Sequence, residues 1–118
     1  MNNFRELKVW QEAMVVSKDI YIITRTFPIE ERYGLTSQMM RAVVSIPSNI
    51  AEGAGRQTKK DFNNFLNFAL GSCYELETQV LLAYSFEYIT EDTSKTLVDK
   101  LQIIQKMLYR LIDSNRDK

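Results

Sequence analysis

The sequence predicts an all-α fold: an up-down-up-down antiparallel four-helix bundle whose second helix is kinked at a proline. Three observations predict it. Apolar residues recur at spacings of three and four almost throughout, and no stretch sustains the period-two alternation of a strand. Only 4 glycines and 2 prolines occur in 118 residues, which leaves little to build long irregular segments. The breaks that do occur divide the chain into four periodic segments with short connections, the pattern of a bundle. A chain of this length makes one domain, here residues 1–118, with a core of its own.

The first segment runs from about Leu7 to Phe27, where Trp10, Met14, Ser17, Tyr21, Thr24 and Phe27 step by fours and threes and Ala13 and Ile20 widen the stripe. Phe27-Pro28 ends it, because the residue before a proline is pushed out of the α region. The second, from about Gly34 to Gly53, lines up Leu35, Met39, Val43, Ile46 and Ile50. Pro47 lacks an N–H and its ring crowds the preceding turn, so a kink or short break is expected near Ser45. Gly53-Ala54-Gly55 is expected to stop this helix. In the third, Thr58 is a natural N-cap with Asp61 three residues on, a weaker capping box. Phe62, Leu66, Ala69, Cys73, Leu76, Val80 and Ala83 then step 4-3-4-3-4-3 as a heptad seam. The fourth starts near Asp92 or Thr93 and lines up Leu97, Leu101, Ile104, Leu108 and Leu111.

Helix three carries more apolar surface than its seam needs. Phe68, Leu82 and Phe86 flank the seam on one side, and Leu70, Tyr74, Leu81 and Tyr88 on the other. Its remaining face, Asn64, Asn67, Gly71, Thr78 and Ser85, is small, polar and uncharged. Between Phe62 and Phe86 the only charges are Glu75 and Glu77, whereas a solvated helix face normally carries Lys, Glu and Arg. A charge-poor helix with large apolar flanks reads as buried against something further. Self-association is the preferred reading, through Phe68, Leu70, Gly71, Tyr74, Leu81, Leu82 and Phe86. The other reading is a central helix whose flanks are covered by neighbours within one chain.

Composition excludes several function classes. With no histidine and a lone cysteine, neither a zinc site nor a Cys–His nucleophile can be assembled, and no metal or cofactor is expected. Cys73 falls on the helix-three seam and reads as a buried structural thiol. Gly53-Ala-Gly55 is too short for a phosphate loop and lacks its Gly-Lys-Ser/Thr. No enzyme activity is expected. The 15 basic and 15 acidic residues cancel, so bulk charge does not mark a polybasic nucleic-acid or membrane binder. No apolar run approaches the roughly 20 residues of a membrane span. The first residues lack the apolar region of a signal peptide, and a single cysteine forms no internal disulfide, so a cytoplasmic location is expected.

Two polar features remain. Arg41, Ser45, Asn49, Glu52 and Arg56 share one face of helix two. They form either a recognition surface or oligomer lining, or a structural network. In the structural reading, which is preferred, Arg41 and Glu52 pair with neighbours including Glu75, and Ser45 or Asn49 satisfies carbonyls freed by Pro47. The second feature is the basic connection Arg56-Gln57-Thr58-Lys59-Lys60 at the start of helix three. Its cations and outward N–H groups are suited to a phosphate of RNA or DNA, although a solvated basic loop has the same composition. A ring of copies would repeat the patch around an axis and multiply its attraction.

The run Arg41-Ala-Val-Val-Ser45-Ile-Pro47-Ser-Asn49-Ile-Ala-Glu52-Gly53-Ala-Gly55-Arg56 resembles the four-helix-bundle proteins encoded in intervening sequences of bacterial 23S ribosomal RNA genes. Leu7-Lys-Val-Trp10-Gln, Phe27-Pro28 before Tyr33-Gly34-Leu35, Phe65-Leu66, Ala69-Leu70-Gly71-Ser72 and Glu75-Leu76-Glu77 extend the resemblance over nearly the whole chain. It implies a four-helix bundle in a ring-shaped homo-oligomer, a pentamer, associated with ribosomal RNA by the location of the genes. The accessory proteins of diversity-generating retroelements are similar in fold and bind nucleic acid with a reverse transcriptase. They are basic, and a pI near 6.3 departs from that pattern. The expected function is a nucleic-acid-associated binding module presenting Arg56, Lys59 and Lys60, with Arg41, to RNA or a nucleoprotein. Its rival is a protein-protein scaffold that binds no nucleic acid, favoured by the zero net charge and by the scarcity of exposed aromatics for base stacking.

Overall fold

A computed structural model describes residues 3–116; Met1, Asn2, Asp117 and Lys118, which the predicted domain includes, lie outside the described residues. Four helices form: α1 (Lys8–Thr24), α2 (Leu35–Ala54), α3 (Lys59–Ser85) and α4 (Glu91–Ser114). Short 3-10 turns at Phe4–Glu6 and Ile29–Glu31 precede α1 and α2, and there is no strand among the described residues. Each helix touches two others: α2 lies between α1 and α3, and α4 closes the arrangement against α3 and α1. The body measures 47 × 23 × 20 Å.

The core is a stripe from each helix. Ile20 of α1, Met39, Val43, Ile46 and Ile50 of α2, Leu66, Leu76 and Val80 of α3, and Leu101, Ile104 and Leu108 of α4 are fully buried. The 4-3 seam of α3 is buried over its length, as its period requires. In α1 the buried stripe is Val9, Ala13, Val16, Ile20 and Thr24, while Met14 and Tyr21 are exposed. Of the expected stripe, Thr24 and Phe27, with Ala13 and Ile20 that widen it, are buried, whereas Trp10, Met14, Ser17 and Tyr21 lie on the neighbouring line. Both lines have helical spacing, and Ala13 and Val16, fully buried, take the centre. Similarly Ile112, not Leu111, completes the buried face of α4.

One helix end corrects an expectation. Thr90 is the N-cap of α4, its Oγ1 accepting from Thr93 N at 3.2 Å, so the helix starts at Glu91. Thr58 caps α3 as expected, accepting from Asp61 N at 3.0 Å. At the far end of α3, Glu87 takes the left-handed conformation (φ 65°). Glu87 N donates to Tyr84 O and Tyr88 N to Ala83 O, both at 2.9 Å, a Schellman closure with glutamate where glycine is usual.

Gly53-Ala54-Gly55 ends α2 as expected, with Ala54 the last helical residue and Gly55 its C-cap. A Cβ on Gly53 would sit 2.7 Å from Phe65 Cβ and 2.9 Å from Phe62 Cδ1, so a glycine here lets α2 pass close to α3. Of the kink or short break expected near Ser45, the break does not occur: α2 is continuous through Pro47, whose ring is buried. The carbonyl that Pro47 leaves without its helical donor is that of Val43. Ser17 of α1 reaches it, Oγ to Val43 O at 3.4 Å, while also donating to Ala13 O at 2.8 Å. A hydroxyl has one proton, so this bond is shared.

Candidate nucleic-acid interface and assembly face

The outer face of α3 is apolar and poor in charge. Phe68 is 61% exposed, and Tyr74, Leu81, Leu82 and Phe86 are exposed beside it. Asn64, Asn67, Thr78 and Ser85 are also exposed, and Glu75 is the only exposed charge between Phe62 and Phe86. Leu70 departs from the expectation. At 7% exposure it belongs to the core, because it points towards α4 rather than outwards, and it has no surface to offer a partner copy. Gly71 lies mid-helix with nothing within 4 Å of a notional Cβ. A mid-helix glycine costs roughly 1 kcal/mol relative to alanine, and no contact within the chain explains this one. Beneath the same face Gln79 is buried, and its Oε1 has no hydrogen-bond partner. Its Nε2 reaches Glu75 Oε2 at 3.5 Å.

The polar stripe of α2 borders this face. Ser45 Oγ bonds Ser72 Oγ of α3 and donates to Ala42 O at 2.9 Å. Asn49 Nδ2 donates to Ser45 O at 2.8 Å. Neither Ser45 nor Asn49 therefore serves the carbonyl freed by Pro47; Ser17 does. Glu52 pairs with Arg56 at 3.4 Å on the exposed surface, not with Arg41, and Glu75 meets Gln79 rather than Arg41 or Glu52. Arg41 is exposed, with no ion pair among the described residues. It precedes Arg56 by fifteen positions, about 22 Å along the helix, so one chain does not join Arg41 to the basic connection.

That connection is itself divided. The Arg56 guanidinium lies over the Phe65 ring, 4.6 Å from its centroid, and is held there by Glu52. Lys59 and Lys60 are exposed, have no ion pair among the described residues, and line a cleft where the start of α3 meets the end of α4. Arg116 joins them from α4's end. Asn63 forms the floor, donating from Nδ2 to Ile112 O at 3.1 Å and accepting on Oδ1 from Asn115 Nδ2 at 3.0 Å. Sequence reasoning missed Arg116 and Asn115. An asparagine just past a helical period is a C-terminal signal that would have located α4's end, but not its neighbour in space.

Nothing nucleophilic stands out. Burial, reinforced by the Glu77 charge, pushes the Cys73 thiol up to about 12, so it stays protonated and inert near neutral pH. Among the described residues no group of three or more His, Cys, Asp or Glu side chains is placed to hold a metal, and no helix is long and apolar enough to cross a membrane.

The sequence profile of the family described as 23S rRNA-intervening sequence protein matches residues 5–110. The chain belongs to that family. A crystal structure of a protein with unknown function from the S23 ribosomal protein family of Bacteroides thetaiotaomicron is similar, with a TM-score of 0.83 and 27% identity over 89% of this chain and 95% of that one. No curated protein matches. The run that carries the resemblance to the intervening-sequence proteins, Ser45 to Gly53, is occupied with the fold of this chain. Ser45 bonds α3, Ile46, Pro47 and Ile50 are buried, Asn49 returns to Ser45, and Gly53 admits Phe62 and Phe65.

Proposed function

We propose that the chain is a non-enzymatic, cytoplasmic, homo-oligomeric binding module of the intervening-sequence family, built as an up-down-up-down bundle and associated with RNA. Contacts running from Gly53 against Phe62 to Ser45 against Ser72 support the antiparallel course of α2 and α3. Those running from Asn63 at Ile112 to Glu77 at Gln105 support it for α3 and α4. A modest bend of α2 at Pro47 accompanies this arrangement.

The observation that carries the assembly is the outer face of α3, where an unexplained glycine lies among exposed Phe68, Tyr74 and Leu82. Helices that approach closely use glycine at the contact, and such apolar, charge-poor surface is what a second copy covers. Phe68, Gly71, Tyr74, Leu81, Leu82 and Phe86 form the contact, and the copies close into the five-membered ring that the family resemblance implies. The ring repeats Lys59 and Lys60, with Arg56 beside them, towards RNA phosphates.

A second reading has one observation in its favour. Arg56 is engaged by Glu52 and Phe65, which leaves the patch less cationic than its sequence. A protein scaffold would use the same assembly without nucleic acid.

Light scattering on protein purified without nuclease, with absorbance at 260 and 280 nm, tests both. A ring-sized particle carrying nucleic acid supports the first reading, and one free of it supports the scaffold. A monomer overturns the assembly. Replacing Lys59 and Lys60 with glutamine should flatten the salt dependence of RNA binding.

A further inference from the structure

We infer that the cleft between the start of α3 and the end of α4 is a seat for the phosphate–sugar backbone of single-stranded RNA, with Arg116 and Asn64 as binding residues alongside Lys59 and Lys60. The inference rests on the RNA-binding reading above and adds to it a place and two residues. The cleft has a volume of about 550 Å³, within the general range of ligand sites. Its described lining contains three cations and no acid.

The lining divides into a fixed floor and an uncommitted rim. Asn63 is spent on Ile112 O and Asn115, which joins the end of α4 to α3 and sets the width of the cleft. On the rim, Lys59, Lys60 and Asn64 have neither ion pair nor side-chain hydrogen bond among the described residues. Arg116 spends one nitrogen on Asp113 at 3.8 Å and retains other N–H donors. Three cations suit the charged oxygens of a phosphodiester. The Asn64 amide, donor and acceptor at once, suits a ribose hydroxyl. No aromatic side chain is among the described residues that line the cleft, so no base is stacked on them. Binding at this seat is therefore indifferent to base sequence.

The test is fluorescence anisotropy of a labelled single-stranded RNA of mixed sequence against the full chain, with Arg116→Gln, Arg116→Lys, Asn64→Ala and the distant control Lys106→Gln. Thermal melting confirms that each exposed substitution leaves the fold intact. The expected result is a roughly tenfold loss of affinity for Arg116→Gln, as for a charge-assisted hydrogen bond. The salt slope should fall by about 0.7, the single-strand value for one phosphate, and Arg116→Lys should restore it. Asn64→Ala should weaken RNA more than DNA of the same sequence. If Lys59 and Lys60 variants weaken binding while Arg116→Gln matches Lys106→Gln, the cleft is not the seat although the RNA-binding reading stands. If adenosine monophosphate competes as well per phosphate as the RNA, a free phosphate ester is the ligand and the strand assignment is overturned. An unmodified chain that does not bind RNA overturns both.

Discussion

Tyr88 Oη donates a 2.6 Å hydrogen bond to Glu31 Oε2, and Glu31 Oε1 accepts from Leu35 N at 3.1 Å, so one carboxylate joins the α3–α4 turn to the first turn of α2. The Tyr88 ring also lies 5.3 Å from that of Phe27, which closes the end of the bundle. The Tyr88 hydroxyl and then the Leu35 N–H hold the Glu31 carboxyl below its ordinary value of 4.5. Hydrogen bonding to Glu31 raises Tyr88 above its ordinary 10.0.

The sign of the pH dependence follows from these directions. Glu31 is lower in the folded chain, so its contribution is present in full above 4.5 and is lost as pH falls through the folded value. Tyr88 is raised, so its contribution is present below 10.0 and is lost as pH rises through its folded value. Melting temperature against pH, for wild type and Glu31→Gln, should give a gap that narrows below 4.5. A gap that stays constant through the acid range would sink this account.

Glu87→Gly should stabilise the chain. Glu87 holds φ 65° to complete the closure of α3, a conformation that costs a residue with a Cβ roughly 1–2 kcal/mol and glycine almost nothing. Against this stands the larger entropy that glycine loses on folding, leaving a net gain of about 1 kcal/mol and roughly 4 °C in Tm. Calorimetry decides it, and an unchanged or lower Tm would mean that the glutamate side chain supports the turn.

Two glycines should respond to alanine in opposite ways. Gly53→Ala must part α2 from α3 at Phe62 and Phe65, an overpacking that costs about 1–3 kcal/mol. Gly71→Ala meets nothing within the chain and gains roughly 1 kcal/mol of helix propensity. If copies meet at Gly71, the same methyl should also lower the mass seen by light scattering at micromolar concentration. Higher stability with unchanged mass would remove Gly71 from the contact.

What was legible in the sequence was what periodicity carries. The α3 seam and the Thr58 cap follow from local spacing, and both are found. The α1 stripe was less legible, because Val9–Ala13–Val16–Ile20 and Trp10–Met14–Ser17–Tyr21 have the same spacing and only the distance to neighbouring helices selects between them. Leu70 was assigned to the surface because its side of the seam is apolar as far as Tyr88, and only the position of α4 covers it. Along the chain the basic patch comprises Arg41, Arg56, Lys59 and Lys60. In space Lys59 and Lys60 meet Arg116 instead, a pairing of distant segments that no local pattern contains.

Ser17 is the clearest case of such a distant partner, and its role can be measured. It gives Val43 O a donor at 3.4 Å in place of the N–H that Pro47 lacks. Ser17→Ala should therefore cost about 1 kcal/mol, the usual worth of one hydrogen bond. Pro47→Ala returns a backbone N–H to the position that donates to Val43 O, which makes the serine redundant. Its own net effect mixes a regained bond with lost packing of a buried ring, so the single variant is uninformative. The double-mutant cycle isolates the coupling. In the Pro47→Ala background, denaturant titration should find the cost of Ser17→Ala reduced to a few tenths of a kcal/mol. Equal costs in the two backgrounds would mean that the 2.8 Å bond to Ala13 O is all that Ser17 contributes.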